Sequence, residues 1–503
     1  MNILNAEQTR LADAYTIEHE PIADIDLMER ASTSFVEAFY KDHTPKVAIV
    51  VVCGTGNNGG DGLAISRILV NRGYDVKPFV VRTIEGGSPN FKVNFDRLNP
   101  QATIKTISDN KSIPDFGKFN IIIDALFGSG LTRVVTDLYG DVIRAINDAA
   151  NTDVISVDIP SGLFVDKPVD PQNQGAIIKA KTTISFQTPK LSFFIPENHQ
   201  YVGQWIVVDI GLDNEFINMQ DSGFCTIEHS DVEKILPERN KFAHKGTFGH
   251  GQLFGGSTGK MGAITLAAEA FLRTGAGLLT VTVPSSGVKI MQTSVPEAMA
   301  LEQPGKRHIS SFTVSPLAGT FGIGPGLGKD EITAKAFRNF LEANKNPLVL
   351  DADALNILSE HPESISFLPE DTIITPHIKE FDRLAGPSEN SWQRLEKARE
   401  FSLQWKIITV LKGAHTAVIN KDGKIYFNTT GNPGMATGGS GDVLLGIITS
   451  LRTQGLSAID ATIAGVYIHG LAGDIAAETK SMTATLARDI IEALSEVFLK
   501  FSR

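Results

Sequence analysis

Two glycine-rich turns carry the residues best suited to chemistry. One reads Asn432-Pro-Gly434-Met-Ala-Thr437-Gly-Gly-Ser440-Gly441-Asp442 and runs into an apolar helical stretch. Several amides at such a helix start point at one spot, and the helix dipole adds partial positive charge, which makes an anion hole. A carboxylate beside that hole repels an anionic ligand, so Asp442 needs a task. The natural one is general base, drawing a proton from a hydroxyl that attacks a phosphoryl group. Such a base contributes about 10²–10⁴ in rate, and positioning with charge neutralisation supplies much of the rest. The plainer reading is a first-turn acid that favours the helix.

The other turn reads Gly54-Thr-Gly56-Asn57-Asn58-Gly59-Gly60-Asp61-Gly62. Formally it holds GxGxxG, in which glycine lets a phosphate approach the backbone at a helix N-terminus. A dehydrogenase fingerprint also needs an acidic residue about 20 positions on, at the end of the next strand. Here Phe79-Val80-Val81 is followed by Arg82. Asn57, Asn58 and Asp61 add amide and carboxylate groups that a dinucleotide turn does not require, and they point to a polar substrate or an oxygen-ligated cation. The alternative is a plain strand-to-helix turn.

Two more loops belong with this turn, 124–133 (DALFGSGLTR) and 158–162 (DIPSG). In open α/β sheets ligands sit beyond the carboxyl ends of strands, so all three loops converge on one edge. Asp124, Asn58 and Ser161 offer hard oxygens suited to an alkali or alkaline-earth cation. Arg133 could meet a phosphate. Taken singly, Asp124 and Asp158 are explained by capping or loop hydrogen bonds; taken together they read as a site.

The region of the Asp442 turn has further post-strand candidates. Lys412-Gly413-Ala414-His415-Thr416 offers amides, a cation and a hydroxyl to a nucleotide. His377 follows Thr375-Pro376, and Gly324-Pro-Gly326-Leu-Gly328 suits a flat ring lying close to backbone. Gly259-Lys260 is no P-loop tail, because Phe254 stands where the first glycine is needed and Met261 replaces Ser or Thr.

The elements behind these loops alternate. Continuous β-branched runs at 47–53, 76–81, 120–126, 153–159, 182–186 and 205–210 read as strands between helical stretches, with helical spacing also over 9–40. A second series has strands at 251–255, 278–283, 319–324, 347–351, 372–375 and 407–411, and a hairpin over 417–428. A helix over 260–275 places Ala263, Leu266, Ala267, Ala270 and Phe271 on one face. Helices over 442–452, 458–478 and 485–501 close the chain. Alternation of this kind predicts parallel sheets covered by helices on both faces.

With 503 residues the chain exceeds one ordinary core. Its 42% apolar and 20% charged content is globular, and a formal charge of −11 disfavours nucleic acid and acidic membrane surfaces. Cys53 and Cys225 have no CxxC partner, so neither a disulfide framework nor a zinc spacing is present. No apolar run spans a bilayer and no signal-peptide core opens the chain, so a cytoplasmic protein is expected. The polar, weakly periodic stretch after 211 marks a boundary: domains at 1–215 and 229–503 with a linker at 216–228.

GTGNNGGDG (54–62), DALFGSGL (124–131) and DIPSG (158–162) resemble the NAD(P)H-hydrate epimerase family. HKGTFGHGQLFGGS (244–257), GPGLG (324–328), DADALN (351–356), TPH (375–377), KGAHT (412–416) and NPGMATGGSGDVL (432–444) resemble the ADP-dependent NAD(P)H-hydrate dehydratase family. The resemblance covers nearly the whole chain. It implies a Rossmann-like three-layer α/β domain fused to a ribokinase-like α/β domain. The first would interconvert the R and S forms of NADH or NADPH hydrated at ring carbon C6. The second would dehydrate the S form with ADP, giving NAD(P)H, AMP and phosphate.

By position, Asn57, Asn58, Gly59, Gly60, Asp61, Gly128, Ser129, Gly130, Leu131, Thr132, Arg133, Val134 and Asp158 would bind the hydrate in the first domain. Asn58, Asp124 and Ser161 would hold potassium. In the second domain Ala263, Gly326, His377 and Asp442 would meet the hydrate, and Lys412, Gly413, Ala414, His415, Thr416 and Gly441 would meet ADP, with Mg²⁺. One departure is Ile378-Lys379-Glu380, where many relatives carry Pro-Gly-Glu. A homo-oligomer is expected. The competing readings are a ribokinase-like small-molecule kinase with an accessory nucleotide-binding domain, and a nucleotide-binding scaffold without turnover.

Overall fold

The computed structural model describes residues 1–82, 86–170, 172 and 175–501. Its strands explain the apolar runs. In β1 (Ala48–Cys53), Ile49, Val51 and Cys53 enter one apolar core, and Val50 and Val52 enter another. Successive side chains leave a strand on opposite faces, so a run apolar throughout is covered on both. Phe35 and Phe39 of the helix Asp24–Asp42 and Leu63 and Leu69 of the helix Asn57–Asn71 cover one face. Val142 and Ile146 of the helix Leu138–Asn147 cover the other.

The first sheet adds β2 (Asp75–Val81), β3 (Lys105–Ile107), β4 (Ile121–Ala125), β5 (Asp153–Val157), β6 (Thr182–Phe186) and β7 (Gln204–Val208). Its order is β3-β2-β1-β4-β5-β6-β7, with parallel pairing throughout. The order reverses between β1 and β4, the switch point at which such sheets bind ligands.

The second sheet holds β8 (Phe224–Thr226), β9 (His250–Phe254), β10 (Leu278–Pro284), β11 (Met299–Gln303), β12 (Thr320–Ile323), β13 (Leu348–Leu350), β14 (Ile373–Ile374), β15 (Ile408–Leu411), β16 (Ala417–Ile419) and β17 (Ile425–Phe427). Its order is β11-β10-β9-β12-β13-β14-β15-β16-β17-β8. Pairing is parallel from β11 to β15 and antiparallel in the hairpin beyond. Val281, Val349, Ile408 and the long C-terminal helices form one core; Phe254, Phe321, Leu350 and Phe337 form the other.

The chain divides into Met1–Phe224 and Cys225–Arg503. The stretch 216–228, expected as a linker, carries the end of the helix Asn214–Met219 and strand β8. Residues 9–40 form two helices, Ala6–His19 and Asp24–Asp42, because Pro21 cannot continue the first. The short strands β3, β8 and β11 escape the apolar-run rule: Lys105-Thr106 and Glu302-Gln303 carry polar side chains, as edges commonly do. The expected apolar face of the helix Met261–Arg273 is also corrected. Ile264, Ala267, Ala268, Ala270 and Phe271 are buried, while Ala263 and Leu266 are only half-buried. No helix among the described residues is long and apolar enough to cross a membrane.

Candidate active sites

In the first unit the ends of β1, β4 and β5 open into a cavity of about 670 Å³. It is lined by Asn57, Asn58 and Asp61, by Gly128, Ser129, Gly130, Leu131, Thr132 and Arg133, and by Asp158. The three loops expected to converge therefore do. Gly59, Gly60 and Val134 do not line it. Gly59 and Gly60 are buried in the first helical turn, where a Cβ at Gly59 would fall 1.9 Å from the Gly54 carbonyl oxygen. Val134 is exposed.

Asp124 lies behind the cavity, fully buried. Its carboxylate accepts hydrogen bonds from Ser156 Oγ (2.8 Å), Ser161 N (2.9 Å), Ser161 Oγ (2.6 Å) and Leu126 N (3.3 Å). No ion pair to Asp124 occurs among the described residues, and burial raises its carboxyl despite these donors. Asn58 donates to the Val157 carbonyl (3.0 Å), but its Oδ1 is buried with no hydrogen-bond partner. A buried carboxylate without a cation and an orphaned amide oxygen are what a cation would satisfy.

Four acids reach the cavity: Asp13, Asp24, Asp61 and Asp158. Lys190 Nζ, 1% exposed, pairs with Asp158 Oδ1 at 2.8 Å and also donates to the Phe186 and Thr188 carbonyls. Burial, then the neighbouring Asp158, Asp13 and Asp24, hold the Asp61 carboxyl well above the usual carboxylate range. Burial and Asp158 likewise push Asp13 up to about 6. Arg82, standing where a ribose-binding acid would be, is paired with Asp137 and lies over the Tyr139 ring.

In the second unit the loops after β9, β12, β13, β14 and β15 meet the start of the helix Ser440–Thr453. Gly439 precedes that helix at φ +96°, and no side chain caps it. A Cβ at Gly439 would lie 2.6 Å from Leu266 Cδ1, so the half-buried Leu266 packs directly against the turn. The first amides of the helix are thus left without an intrahelical partner. A Cβ at Gly441 would lie 3.2 Å from Lys412 Nζ and 3.3 Å from Asp351 Oδ2. The cation and the acid therefore flank the anion hole.

Burial, then Asp351, push Asp442 up to about 7, with Lys412 opposing and Asp353 and Glu380 adding to the shift. Asp442 is therefore close to half-ionised near neutrality. Gly326 sits against Ala263: a Cβ on the glycine would lie 3.3 Å from the Ala263 Cβ. The loop is tied down by Ser257 Oγ donating to the Gly326 carbonyl and Gly328 N donating to Asp353 Oδ2, both at 2.8 Å. His377 caps the helix Ile378–Ala385, its Nδ1 accepting from Glu380 N, while His377 N donates to Glu380 Oε2 at 2.9 Å. That gives Glu380 a capping role and leaves the proton of neutral His377 on Nε2. Gly413 and Ala414 are exposed, and the Thr416 hydroxyl closes back on the Gly413 carbonyl at 3.2 Å.

Sequence reasoning did not assign Asp13, Lys190, Asp351, Asp353 or Lys260. Lys260, dismissed with the false P-loop, pairs with Asp353 at 3.2 Å. It also missed His469, half-buried and lowered by desolvation to about 4, which sits 3.2 Å from Ser440 Oγ. Asp474 holds the loop before the turn through Gly431 N and Asn432 Nδ2, each at 2.9 Å. Asp351 alone had a visible signal, as an acid directly after a strand. A larger surface groove of about 960 Å³ beside Phe312 and Lys335 contains none of the candidate residues.

Comparison with known proteins agrees with this division. The family described as NAD(P)H-hydrate dehydratase matches residues 252–496, and that described as YjeF-related protein N-terminus matches residues 24–192. The chain is 34% identical to the bifunctional NAD(P)H-hydrate repair enzyme of Moorella thermoacetica, covering 99% of this chain and 96% of that one. It is 36% identical to the Coxiella burnetii enzyme of the same name, over 94% of both. It is 32% identical to that of Escherichia coli, over 94% of this chain and 89% of the other. Among solved structures, a ribokinase-like superfamily protein of Enterococcus faecalis aligns at TM-score 0.50 with 30% identity, covering 57% of this chain and 99% of that one. With matches of this length and identity, the chain belongs to the family of bifunctional NAD(P)H-hydrate repair enzymes.

Proposed function

We propose that the cavity of the first unit interconverts the R and S epimers of NAD(P)H hydrate, and that the second unit dehydrates the S epimer with ADP. The observation that carries the second assignment is Asp442, a carboxyl raised to about 7 at the uncapped start of a helix. A base is most useful when its proton affinity lies near the working pH.

Asp442 takes the proton of the ring hydroxyl, whose oxygen attacks the outer phosphoryl group of ADP and displaces AMP. The amides of Gly438, Gly439, Ser440 and Gly441 hold the oxygens of the transferring group, and Lys412 neutralises their charge. A phosphate ester then leaves C6 far more readily than hydroxide. Loss of a proton from the adjacent carbon restores the ring double bond. Ala263, Gly326 and His377 would position the nicotinamide side, and the loop from Lys412 to Thr416 the nucleotide.

Asn58, Asp124 and Ser161 would hold potassium in the first unit. The orphaned Asn58 Oδ1 and the buried Asp124, which has no ion pair among the described residues, support that assignment. The ion would supply positive charge beside the substrate's phosphates. Among the described residues no group of three or more His, Cys, Asp or Glu side chains is placed to hold a metal. Mg²⁺ in the second unit would be held with the diphosphate by one or two carboxylates, Asp351 being in reach of Gly441.

The test is to supply mixed hydrate epimers with ADP and follow each epimer with the nucleotide products. AMP and free phosphate, with both epimers consumed, are expected. A stable phosphorylated product would replace this reading with a kinase.

A further inference from the structure

The helix Ala6–His19 lies ahead of the matched family region, yet it forms one wall of the first cavity. Ala6, Thr9, Arg10 and Asp13, spaced as one helical face, all line that wall. We infer that Asp13 is a catalytic acid–base residue of this site, exchanging a proton with the ring hydroxyl, with Asp61 as its counterpart. The inference rests on the epimerase reading of the cavity.

The other acids are occupied. Asp158 accepts from Lys190 and from Phe186 N. Asp24 accepts from Asn90 Nδ2 at 2.8 Å. The side chains of Asp13 and Asp61 accept no hydrogen bond from any described residue, so their oxygens remain for a ligand. The orphaned oxygen of Asn58, on the same cavity, independently marks where a ligand shell is incomplete. Asp13 faces Asp158, Lys190 and Asp24, and Arg10 and Arg133 also border the cavity. Lys190 is engaged by Asp158, so like charges keep Asp13 and Asp61 from ionising together near neutrality.

Inversion at C6 passes through a ring cation. Asp61, the more strongly raised of the two acids, gives its proton to the C6 hydroxyl. The C6–O bond breaks, its electron pair leaves with water, and the ring nitrogen lone pair forms the N–C6 double bond of a cation. Water adds to the opposite face, the nitrogen regains its pair, and the surplus proton goes to the Asp13 carboxylate. Water is the only co-reactant and no oxidation state changes. The reverse direction exchanges the two acids, and solvent resets their protons between turnovers.

The experiment follows R-to-S exchange in the full-length chain in ¹⁸O-water, with S dehydration measured separately. Asp13→Asn is expected to lower the exchange kcat by about 100-fold or more, with KM little changed. It should also stop ¹⁸O entry at C6 while leaving S dehydration intact. Asp13→Glu should recover part of kcat with a displaced pH profile. Exchange by Asp13→Asn at the wild-type rate and pH profile would overturn the proposal, as would a loss confined to KM. Should Asp13→Asn fail to fold, an unchanged pH profile in Asp13→Glu overturns it. A wild-type chain that accelerates no exchange would sink the epimerase reading itself, and this proposal with it.

Discussion

Lys412 Nζ lies 2.8 Å from Asp351 Oδ1, and Asp351 is only 2% exposed. The pair joins the ends of β13 and β15 beside Gly441, so the ammonium is held at the anion hole before any nucleotide arrives. Such preorganisation lets a charge stabilise phosphoryl transfer without reorganising. Lys412→Met should therefore do two things. It should lower the dehydratase kcat at saturating ADP by at least about tenfold, and it should leave Asp351 buried without its cation. Steady-state kinetics would show the first effect, and a lower thermal transition of the second unit the other.

Asp442→Asn should cut ADP-dependent recovery of NADH absorbance by about 10²–10⁴ while nucleotide still binds. Titration of the variant with ADP separates the two effects. Recovery at the wild-type rate would remove Asp442 as the base.

The same residue sets a pH dependence whose sign follows from its raised carboxyl. An unfolded aspartate ionises near 3.8 and Asp442 in the fold near 7. Between those values the unfolded chain has lost a proton that the folded one keeps, so stability falls as pH rises from about 4 to 7. Asp442→Asn escapes this loss and should melt higher than wild type at pH 8, by up to about 4 kcal/mol, and equally at pH 4. Wild-type kcat should move the other way, rising with pH through about 7 because the base must be ionised. A melting series and a pH–rate profile on the same samples check both.

These consequences trace to features with unequal visibility in the sequence. The glycine turns and the strands before them were legible because buried parallel strands read as unbroken β-branched runs and the loops follow at once. Asp13, Lys190 and Asp353 were not, since each is a lone polar residue in an ordinary helix or loop. Their meeting depends on sheet order: β6 beside β5 brings Lys190 to Asp158, and β13 beside β12 brings Asp353 to Gly328. The edge strands β3 and β11 were hidden by their polar residues. Ala263 and Leu266 were misread as core because periodicity reports one apolar face and cannot say that part of it borders a site.

Asp124→Asn should abolish potassium stimulation of R-to-S exchange while S dehydration continues. Asparagine keeps one acceptor oxygen for the Ser156 and Ser161 donors but carries no charge to balance a cation. Assaying exchange in potassium against tetramethylammonium salts tests this. An equal loss of S dehydration would break the separation of the two sites.

The buried pair in the first unit permits a sharper contrast. Lys190→Met strands Asp158 without its cation in a dry site, which costs about 3–5 kcal/mol for pairs of this kind. Asp158 also sits at φ +67°, a left-handed conformation that asparagine adopts more readily than most residues. The double variant Lys190→Met/Asp158→Asn should therefore recover most of the stability lost by Lys190→Met alone, since the stranded charge is gone and the backbone is unstrained. It should not recover epimer exchange, because Asp158 is proposed to touch the hydrate. Thermal unfolding and exchange rates on the two variants give opposite orders if the pair is both structural and functional, and the same order if it is structural alone.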